Sequence, residues 1–293
     1  MIRIKVPATS ANLGVGFDCM GLAVSLYSTI DFEQSSQKLI INGCDEQFQN
    51  EQNLIYQAFV RGCQFLNQPV PNVKITIDNH VPVSRGLGSS AVCIVGGLMG
   101  ANLWFDSPLN KEEILTLATE MEGHSDNVAP AILGNLNVSF TDSLENIQNV
   151  AFKVSSDLFF VALIPNYQLS TKKARQVLPK SMDYQTVSYQ VGHAVALSKA
   201  LENGDLQLIR QAIIDKMHEP FRSKLIPDYS AVKSICEKDG GVLYISGSGS
   251  TLMAIASNLN DAQKIIDETK KSFPNWETHL LSVDTKGASG DLI

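Results

Sequence analysis

Apolar and polar positions in the first quarter of the chain follow two different spacings. The segments Met1–Pro7, Leu22–Phe32, Lys38–Ile41 and Val73–Ile77 show the alternation or short apolar runs that are typical of β-strands. Between them, Asn53–Leu66 carries apolar residues at helical spacing. The pattern therefore predicts strands interrupted by one helix.

The elements that follow are mainly helical. Ser89–Trp104 has few polar residues, as expected for a helix that is buried on most sides. Asn110 and Glu113 have the spacing of a capping box, which predicts a second helix that ends near Glu122. A short helix and a strand over Asn135–Phe140 complete this half of the chain.

The second half of the chain is predicted to be a separate unit. The polar, acidic segment Thr141–Asn149 is the best candidate for a linker. The elements predicted after it are strand Leu158–Ile164, helices or helix starts at Ser170–Arg175, Thr186–Asn203, Asp205–Met217 and Asp228–Glu237, strands Val242–Ser246 and Thr251–Ser257, helix Asp261–Ser272 and strand Thr278–Val283. This order predicts an α+β sandwich with helices on one face of a largely antiparallel sheet. We place two domains at residues 1–150 and 151–293, since 293 residues exceed the usual single-domain length.

Charge and cysteine content narrow the class of protein. A net charge of −7 argues against nonspecific binding to nucleic acid or to anionic membranes, both of which require a basic surface. The five cysteines are odd in number and form no C-x-x-C pair, so neither a zinc site nor a disulfide framework is indicated. A reducing cytoplasm is the expected compartment. The longest apolar run, Ala91–Ala101, is too short to span a bilayer.

The segment Pro82–Ala91 has the composition of a phosphate-binding loop. Gly86 and Gly88 permit backbone conformations that other residues avoid, and Ser89 and Ser90 can cap the helix that follows. Free N–H groups at a helix N-terminus favour an anion. An ordinary glycine turn with a serine cap is the alternative interpretation.

Familiar nucleotide-binding motifs do not explain this loop. The chain has no Gly-Lys dipeptide, which excludes a P-loop, and it lacks the H-R-D and D-F-G motifs of protein kinases. The third glycine of a dinucleotide-binding fingerprint is also missing. Three glycine-rich segments, at 12–21, 86–90 and 247–249, instead suggest one shared site.

Four motifs carry a resemblance to a known family. They are Pro7–Asp18, Pro82–Ala91, His124–Pro130 and Ser246–Thr251, and they occur in the family's order. The chain resembles the GHMP small-molecule kinases, and within them the branch that phosphorylates L-homoserine. The resemblance runs from residue 2 to about residue 285.

This resemblance implies a fold, a reaction and an assembly. The fold would be α+β, with a ribosomal-protein-S5-like N-terminal domain and a ferredoxin-like C-terminal α/β sandwich. The reaction would transfer the γ-phosphoryl group of ATP, with Mg²⁺, to the side-chain hydroxyl of L-homoserine. The product would be O-phospho-L-homoserine, an intermediate of threonine biosynthesis. A cytoplasmic homodimer is expected.

The resemblance also assigns the donor site. The residues expected at the ATP phosphates are Val83, Ser84, Arg85, Gly86, Leu87, Gly88, Ser89, Ser90, Ala91, Val92 and Cys93. Asn53 would contact the adenine side. Ser90 and Glu120 would bind Mg²⁺, for which oxygen ligands are suited. Ser89 is the less favoured of the two serines. Glu122 is the alternative carboxylate, because the spacing between the glutamate and His124 varies in the family.

The acceptor site is assigned in the same way. Its implied residues are Asn12, Asp18, His124, Asn127, Arg175 and Arg222. Asp18 would bind the substrate ammonium, and the two arginines would bind its carboxylate. Asn127, Arg175 and Arg222 are the implied catalytic residues. Asn127 stands where related kinases often have an aspartate base, so the reaction would depend on positioning and charge neutralisation.

Residues beside these motifs receive structural interpretations. Asp126 is expected to cap the short helix that follows it. The histidines outside the motifs, His80, His193, His218 and His279, are predicted to be structural. Alternative functions are another GHMP kinase, for mevalonate or a sugar, or a noncatalytic nucleotide- or metabolite-binding regulator on the same fold.

Overall fold

A computed structural model describes residues 1–293. The strands of its first sheet are β1 (Ile2–Ala11), β2 (Met20–Gln34), β3 (Leu39–Asn42), β4 (Val73–Asn79), β5 (Leu136–Thr141), β6 (Ile147–Phe152) and β11 (Ser289–Leu292). The helices that accompany this sheet are α1 (Leu54–Phe65), α2 (Ser89–Trp104), α3 (Lys111–Glu122) and α4 (Val128–Leu133). Strand β2 is the centre of the sheet, because it pairs with β1, β4 and β5.

Helix α2 is buried as its sequence predicts. It packs mainly against α1 and β1, and glycines allow the close approach. A Cβ atom at Gly97 would lie 2.3 Å from the carbonyl oxygen of Ile55, and one at Gly100 would lie 2.4 Å from the ring of Phe32. The N-terminus of α2 is therefore held rigidly at one end of the first sheet.

The second sheet is antiparallel and has the strand order β10-β7-β9-β8. Its strands are β7 (Phe159–Ile164), β8 (Val242–Ile245), β9 (Leu252–Ala256) and β10 (Glu277–Leu281). The helices of this half are α5 (Thr171–Gln176), α6 (Tyr184–Asn203), α7 (Leu206–Ala212), α8 (Glu219–Arg222), α9 (Tyr229–Lys238) and α10 (Leu259–Ser272). Strand β9 is fully buried and β7 is nearly so. This burial on both faces explains why the sequence of each strand is a continuous apolar run. The sequence prediction of an α+β fold is confirmed.

Two segments differ from the sequence prediction. Thr141–Asn149 is not a linker: it contains the turn and part of the second strand of a hairpin, in which Thr141 pairs with Ile147. The C-terminal strand β11 also returns to the first sheet and pairs with β1, with Ile4 opposite Gly290. The last strand therefore packs with the first half of the chain.

None of the helices has the length and apolarity needed to cross a membrane.

A buried carboxyl group connects α8 to β8. The backbone N–H of Ile245 donates a hydrogen bond to Glu219 Oε1 over 2.6 Å, and the Tyr229 hydroxyl lies 3.5 Å from Oε2. Burial raises the pKa of Glu219 to about 8. An unfolded glutamate has a pKa of about 4.3, so protonated Glu219 contributes stability below that pH and loses it as pH rises through about 8.

We therefore expect Glu219→Gln to flatten the pH dependence of stability. Between pH 5 and pH 8 the unfolding free energy of the unmodified protein should fall relative to that of Glu219→Gln, by up to about 1.4 kcal/mol per pH unit. Urea unfolding at several pH values measures this difference. Parallel curves for the two proteins would show that Glu219 is ionised when folded.

Candidate active site

A polar cleft lies where the three glycine-rich segments meet. Its volume is about 410 Å³, and Met121 is the only hydrophobic residue among those that line it. The polar and glycine residues that line it are Asn12, Asp18, Ser84, Gly86, Gly88, Ser89, Ser90, Glu122, His124, Asp126, Asn127, Thr171, Arg175, Arg222, Gly247 and Ser248. A cleft of this character suits charged, hydrogen-bonding ligands.

The predicted phosphate loop forms one wall of the cleft. Gly88 has a φ of +69° and precedes α2 without any side-chain cap, so neither serine caps the helix as the sequence suggested. The backbone N–H groups of Ser89, Ser90 and Ala91 have no acceptor in the protein. These N–H groups and the positive end of the helix dipole form a binding site for an anion.

Hydrogen bonds connect all three glycine-rich segments. The N–H of Gly247 donates to the carbonyl of Ala11 over 3.0 Å, and Asn12 Nδ2 donates to the carbonyl of Gly247 over 2.8 Å. Ser246 Oγ donates to the carbonyl of Gly86 over 2.6 Å. The structure thus brings together the segments for which the sequence suggested a shared site.

Ser90 and Glu122 form the oxygen-rich corner of the cleft. Ser90 Oγ donates to Glu122 Oε2 over 2.6 Å, and burial raises the pKa of Glu122 while this hydrogen bond opposes the shift. Glu120 lies outside the cleft, is 54% exposed and pairs with Arg61 at 3.0 Å. Glu122 therefore replaces Glu120 as the candidate metal ligand.

Helical periodicity explains this correction. The buried face of α3 includes Leu115 and Ala118, and Glu122 continues that face at intervals of seven and four residues. Glu120 instead lies four residues after Thr116, on the exposed face. The helical spacing of the apolar residues in α3 therefore already favours Glu122.

The corner fits Mg²⁺ in its donor chemistry. A hydroxyl and a carboxylate are hard oxygen ligands, and Mg²⁺ in phosphoryl-transfer sites takes its remaining ligands from phosphates and water. No cluster of three or more acidic, histidine or cysteine side chains could hold a metal ion alone. The residues present therefore suit a Mg²⁺ ion that arrives with a polyphosphate.

Opposite the loop, Asp18 and Arg175 form a bidentate ion pair. The two distances between guanidinium nitrogens and carboxylate oxygens are 2.8 and 2.9 Å. Asn12 positions Asp18, because its Oδ1 accepts a hydrogen bond from the Asp18 backbone N–H over 3.0 Å. The amide of Asn12 is therefore engaged by the protein on both sides.

Arg222 is the most deeply buried charge of the cleft. It is 2% exposed, and burial lowers the pKa of its guanidinium. Its Nε donates to the carbonyl of Ala174 over 3.2 Å, and Nη1 donates to the carbonyl of Gly247 over 3.0 Å. Nη2 makes no hydrogen bond within the protein and is left for a ligand.

Hydrogen bonds connect the polar side chains that immediately precede α4. His124 Nδ1 lies 2.5 Å from Asp126 Oδ1, and Asn127 Nδ2 donates to the same oxygen over 3.3 Å. The hydrogen bond between His124 and Asp126 raises the pKa of His124. Thr9 Oγ1 donates to Asn127 Oδ1 over 2.8 Å. Asp126 thus positions His124 and makes no helix cap, contrary to the sequence interpretation.

Some predicted site residues lie away from the cleft. Asn53 caps α1 through its Oδ1, which accepts from the N–H groups of Ile55 and Tyr56, and it does not line the cleft. Arg85 donates to the carbonyls of Pro165 and Asn166. The other members of the predicted loop that do not line the cleft are Val83, Leu87, Ala91, Val92 and Cys93. These side chains support the loop, whose ligand-binding groups belong to the backbone and to the serines.

Two family regions match the chain. Residues 53–135 match the GHMP kinases N terminal domain, and residues 197–275 match the GHMP kinases C terminal domain. The homoserine kinase of Clostridium botulinum is 43% identical over 293 residues, covering 98% of this chain and 97% of that protein. The homoserine kinase of Clostridium beijerinckii is 39% identical, covering 99% of this chain and 98% of that protein.

Solved structures agree with these matches. The homoserine kinase of Cytophaga hutchinsonii superposes with a TM-score of 0.89 at 28% identity, covering 99% of this chain and 97% of that one. A mevalonate kinase superposes with a TM-score of 0.73 at 15% identity, covering 97% of this chain and 99% of that one, a likeness that concerns the fold alone. The chain belongs to the GHMP kinase family and, within it, to the homoserine kinases.

Proposed function

We propose that this protein phosphorylates the side-chain hydroxyl of L-homoserine with ATP, the reaction that supplies O-phospho-L-homoserine to threonine biosynthesis. One observation carries the proposal: a helix N-terminus with free N–H groups faces Asp18, Arg175 and Arg222 across one cleft. The first feature suits a phosphate, and the second suits a molecule with both an ammonium and a carboxylate. The names of the 43% and 39% identical relatives support the same acceptor.

The donor lies over the N-terminus of α2. The free N–H groups of Ser89, Ser90 and Ala91 would bind phosphate oxygens, and Ser90 with Glu122 would hold the Mg²⁺ that accompanies ATP. When bound, Mg²⁺ supplies charge neutralisation for the phosphate oxygens. Only glycine fits at the residue before these N–H groups, since a Cβ at Gly88 would lie 2.0 Å from Thr9 Oγ1.

The acceptor enters the existing ion pair as a zwitterion. Its ammonium takes the place of the Arg175 guanidinium at Asp18, and its carboxylate takes the place of Asp18 at Arg175 and also meets Arg222. A guanidinium fork matches a planar carboxylate with two parallel hydrogen bonds. Each charge of the protein thereby keeps a partner in the complex, which favours binding of amino acids over neutral sugars.

The reaction is an in-line displacement at phosphorus. The acceptor hydroxyl oxygen forms a bond to the γ-phosphorus, the bond from that phosphorus to the β,γ-bridging oxygen breaks, and ADP leaves with the electron pair. The hydroxyl proton passes to a phosphoryl oxygen or to water, because the Asn127 amide is a poor proton acceptor. A loose transition state needs little early deprotonation, so positioning and charge neutralisation dominate.

A substrate panel tests the proposed reaction. ADP release with L-homoserine, mevalonate and galactose should show turnover with L-homoserine at least about 100-fold above the other two, because only this acceptor pairs with both Asp18 and the arginines. Comparable turnover of mevalonate or galactose would reassign the acceptor. ATP binding without turnover of any of the three would favour a regulator.

We also propose that the protein is a cytoplasmic homodimer. The compartment is supported by the five cysteines, all of which are free thiols. The dimer is supported by α6, which exposes an apolar stripe formed by Tyr184, Val187, Val191 and Val195. Val191 and Val195 are 60% and 69% exposed, and such a stripe is typical of a helix with a partner.

A charge on this stripe should produce monomers. We expect Val191→Glu to dissociate the dimer in light scattering, since burying a carboxylate in an apolar interface is unfavourable. Gln185→Glu adds the same charge to an exposed position on another face of α6 and should leave the dimer intact. A monomeric unmodified protein, or a dimer that resists Val191→Glu, would contradict this assembly.

A further inference from the structure

His218 lies beside Arg222. It contacts the glycine-rich segment 12–21 directly and the segment 247–249 through Arg222. It is fully buried. Its Nε2 lies 2.7 Å from the carbonyl oxygen of Gly14, and its Nδ1 lies 3.4 Å from Arg222 Nη1. The ring also stacks on Phe17, with centroids 5.4 Å apart. No sequence pattern indicates this arrangement, because His218 belongs to no recognised acid–base motif.

The neighbours of His218 define its tautomer. A carbonyl oxygen only accepts, so Nε2 must carry the proton that is donated to Gly14. A guanidinium only donates, so Nδ1 must present its lone pair to Arg222. Burial and the adjacent Arg222 charge lower the pKa of His218, opposing the effect of Asp215, whose Oδ2 lies 3.8 Å from Nε2. The ring is therefore neutral, with the proton on Nε2.

A network below the cleft fixes the position of His218. Asp215 Oδ2 accepts hydrogen bonds from the backbone N–H groups of His218 and Glu219, each over 2.7 Å. Gln190 Nε2 donates to Asp215 Oδ1, also over 2.7 Å. This network is buried and has few alternatives for its hydrogen bonds, so the imidazole cannot shift without disrupting it.

Arg222 consequently has one permitted orientation. Its Nη1 is shared between the Gly247 carbonyl and His218 Nδ1, and its Nε is occupied by Ala174. The Phe17 ring lies 5.1 Å from its guanidinium and 5.6 Å from that of Arg175. Rotation of the guanidinium would break these contacts, which leaves Nη2 as the nitrogen without a protein partner in a residue that lines the cleft.

We propose that His218 is a positioning residue for the group that binds the acceptor carboxylate. Its Nδ1 accepts a hydrogen bond from Arg222 Nη1, and this contact orients Arg222 Nη2 into the cleft. This inference rests on the proposed function insofar as it names the carboxylate. The orientation of Arg222 by His218 does not depend on which acceptor binds.

Two substitutions separate this role from a purely structural one. Asn can place an amide oxygen where Nδ1 stands and so keep an acceptor for Arg222, whereas Gln can place an amide nitrogen where Nε2 stands and so keep a donor for Gly14. We expect His218→Gln to raise KM for L-homoserine about 3- to 10-fold with KM for ATP unchanged, while His218→Asn stays within about 2-fold of the unmodified enzyme. If the contact with Gly14 were what matters, the order of the two variants would be reversed.

A double mutant tests whether His218 acts through Arg222. His218→Gln added to Arg222→Ala should raise KM for L-homoserine no further than Arg222→Ala alone, because the group that His218 orients is already gone. Multiplicative effects of the two substitutions would overturn the proposal. Thermal unfolding of each variant identifies any loss of folded protein.

A measurement without substrate keeps this inference independent of the proposed function. Side-chain ¹⁵N NMR should show separate, slowly exchanging Nη signals for Arg222, assigned by their loss in Arg222→Ala. His218→Gln should average or broaden them, and His218→Asn should preserve them. Unchanged Arg222 signals in His218→Gln would overturn the proposal, whereas no turnover of L-homoserine by the unmodified enzyme would overturn the proposed function alone.

Discussion

Glu122→Ala should lower kcat by about 100- to 1000-fold and raise the Mg²⁺ concentration needed for half-maximal activity. The reason is the position of Glu122 at the inner end of α3, where its carboxylate accepts a hydrogen bond from Ser90 Oγ over 2.6 Å. Removing the carboxylate leaves a single protein oxygen at this corner. Initial rates measured over a range of free Mg²⁺ concentrations separate the two effects.

Glu120→Ala is the matched control for that substitution. The two glutamates lie two residues apart on α3, yet Glu120 pairs at the surface with Arg61 and does not line the cleft. An exposed ion pair of this kind contributes about 0.2–1 kcal/mol to stability. Activity should therefore be retained in Glu120→Ala. The reverse outcome, with Glu120→Ala inactive and Glu122→Ala active, would contradict the assignment of the metal ligand.

Arg222→Ala should raise KM for L-homoserine about 10- to 150-fold while KM for ATP changes little. The lost interaction is a charge-assisted hydrogen bond, which is worth about 1.5–3 kcal/mol. Arg222 lies across the cleft from the free N–H groups of α2, so the donor phosphates should keep their own contacts. Steady-state kinetics with each substrate varied in turn give both constants.

Arg222→Lys provides the corresponding control for charge. A lysine keeps the positive charge but cannot reproduce the contacts that Nε and Nη1 make with the Ala174 and Gly247 carbonyls while also presenting a donor to the ligand. We expect little recovery of KM in this variant. An equal loss of L-homoserine and ATP binding in Arg222→Ala would show that the arginine instead supports the cleft as a whole.

The loop that is proposed to bind the donor phosphates is predictable from local sequence. Glycines at 86 and 88 and serines at 89 and 90 determine a loop and a helix start through backbone conformation, which depends on few distant contacts. Comparison with the GHMP kinase motifs extended this prediction to Asp18, Arg175 and Arg222, which the structure brings into one cleft. Distinguishing Glu122 from Glu120 also requires the position of each residue around the axis of α3, which places Glu122 on the buried face.

Other features depend on contacts between distant parts of the chain. Strand β11 pairs with β1 across almost the whole sequence, and its short, polar pattern gave no indication of that partner. His218 is buried against Gly14, which is 204 residues away, and no local pattern reveals this packing. Asp126 is predicted from the sequence to cap the short helix, whereas its carboxylate is hydrogen-bonded to His124.

Direct identification of the product is the most decisive measurement. The protein is incubated with ATP, Mg²⁺ and L-homoserine, and the reaction is followed by ³¹P NMR with mass spectrometry of the amino-acid fraction. A phosphomonoester signal that belongs to O-phospho-L-homoserine, formed in equal amount to ADP, is the expected result. Release of inorganic phosphate without a phosphorylated amino acid, or no consumption of ATP at all, would contradict the proposed reaction.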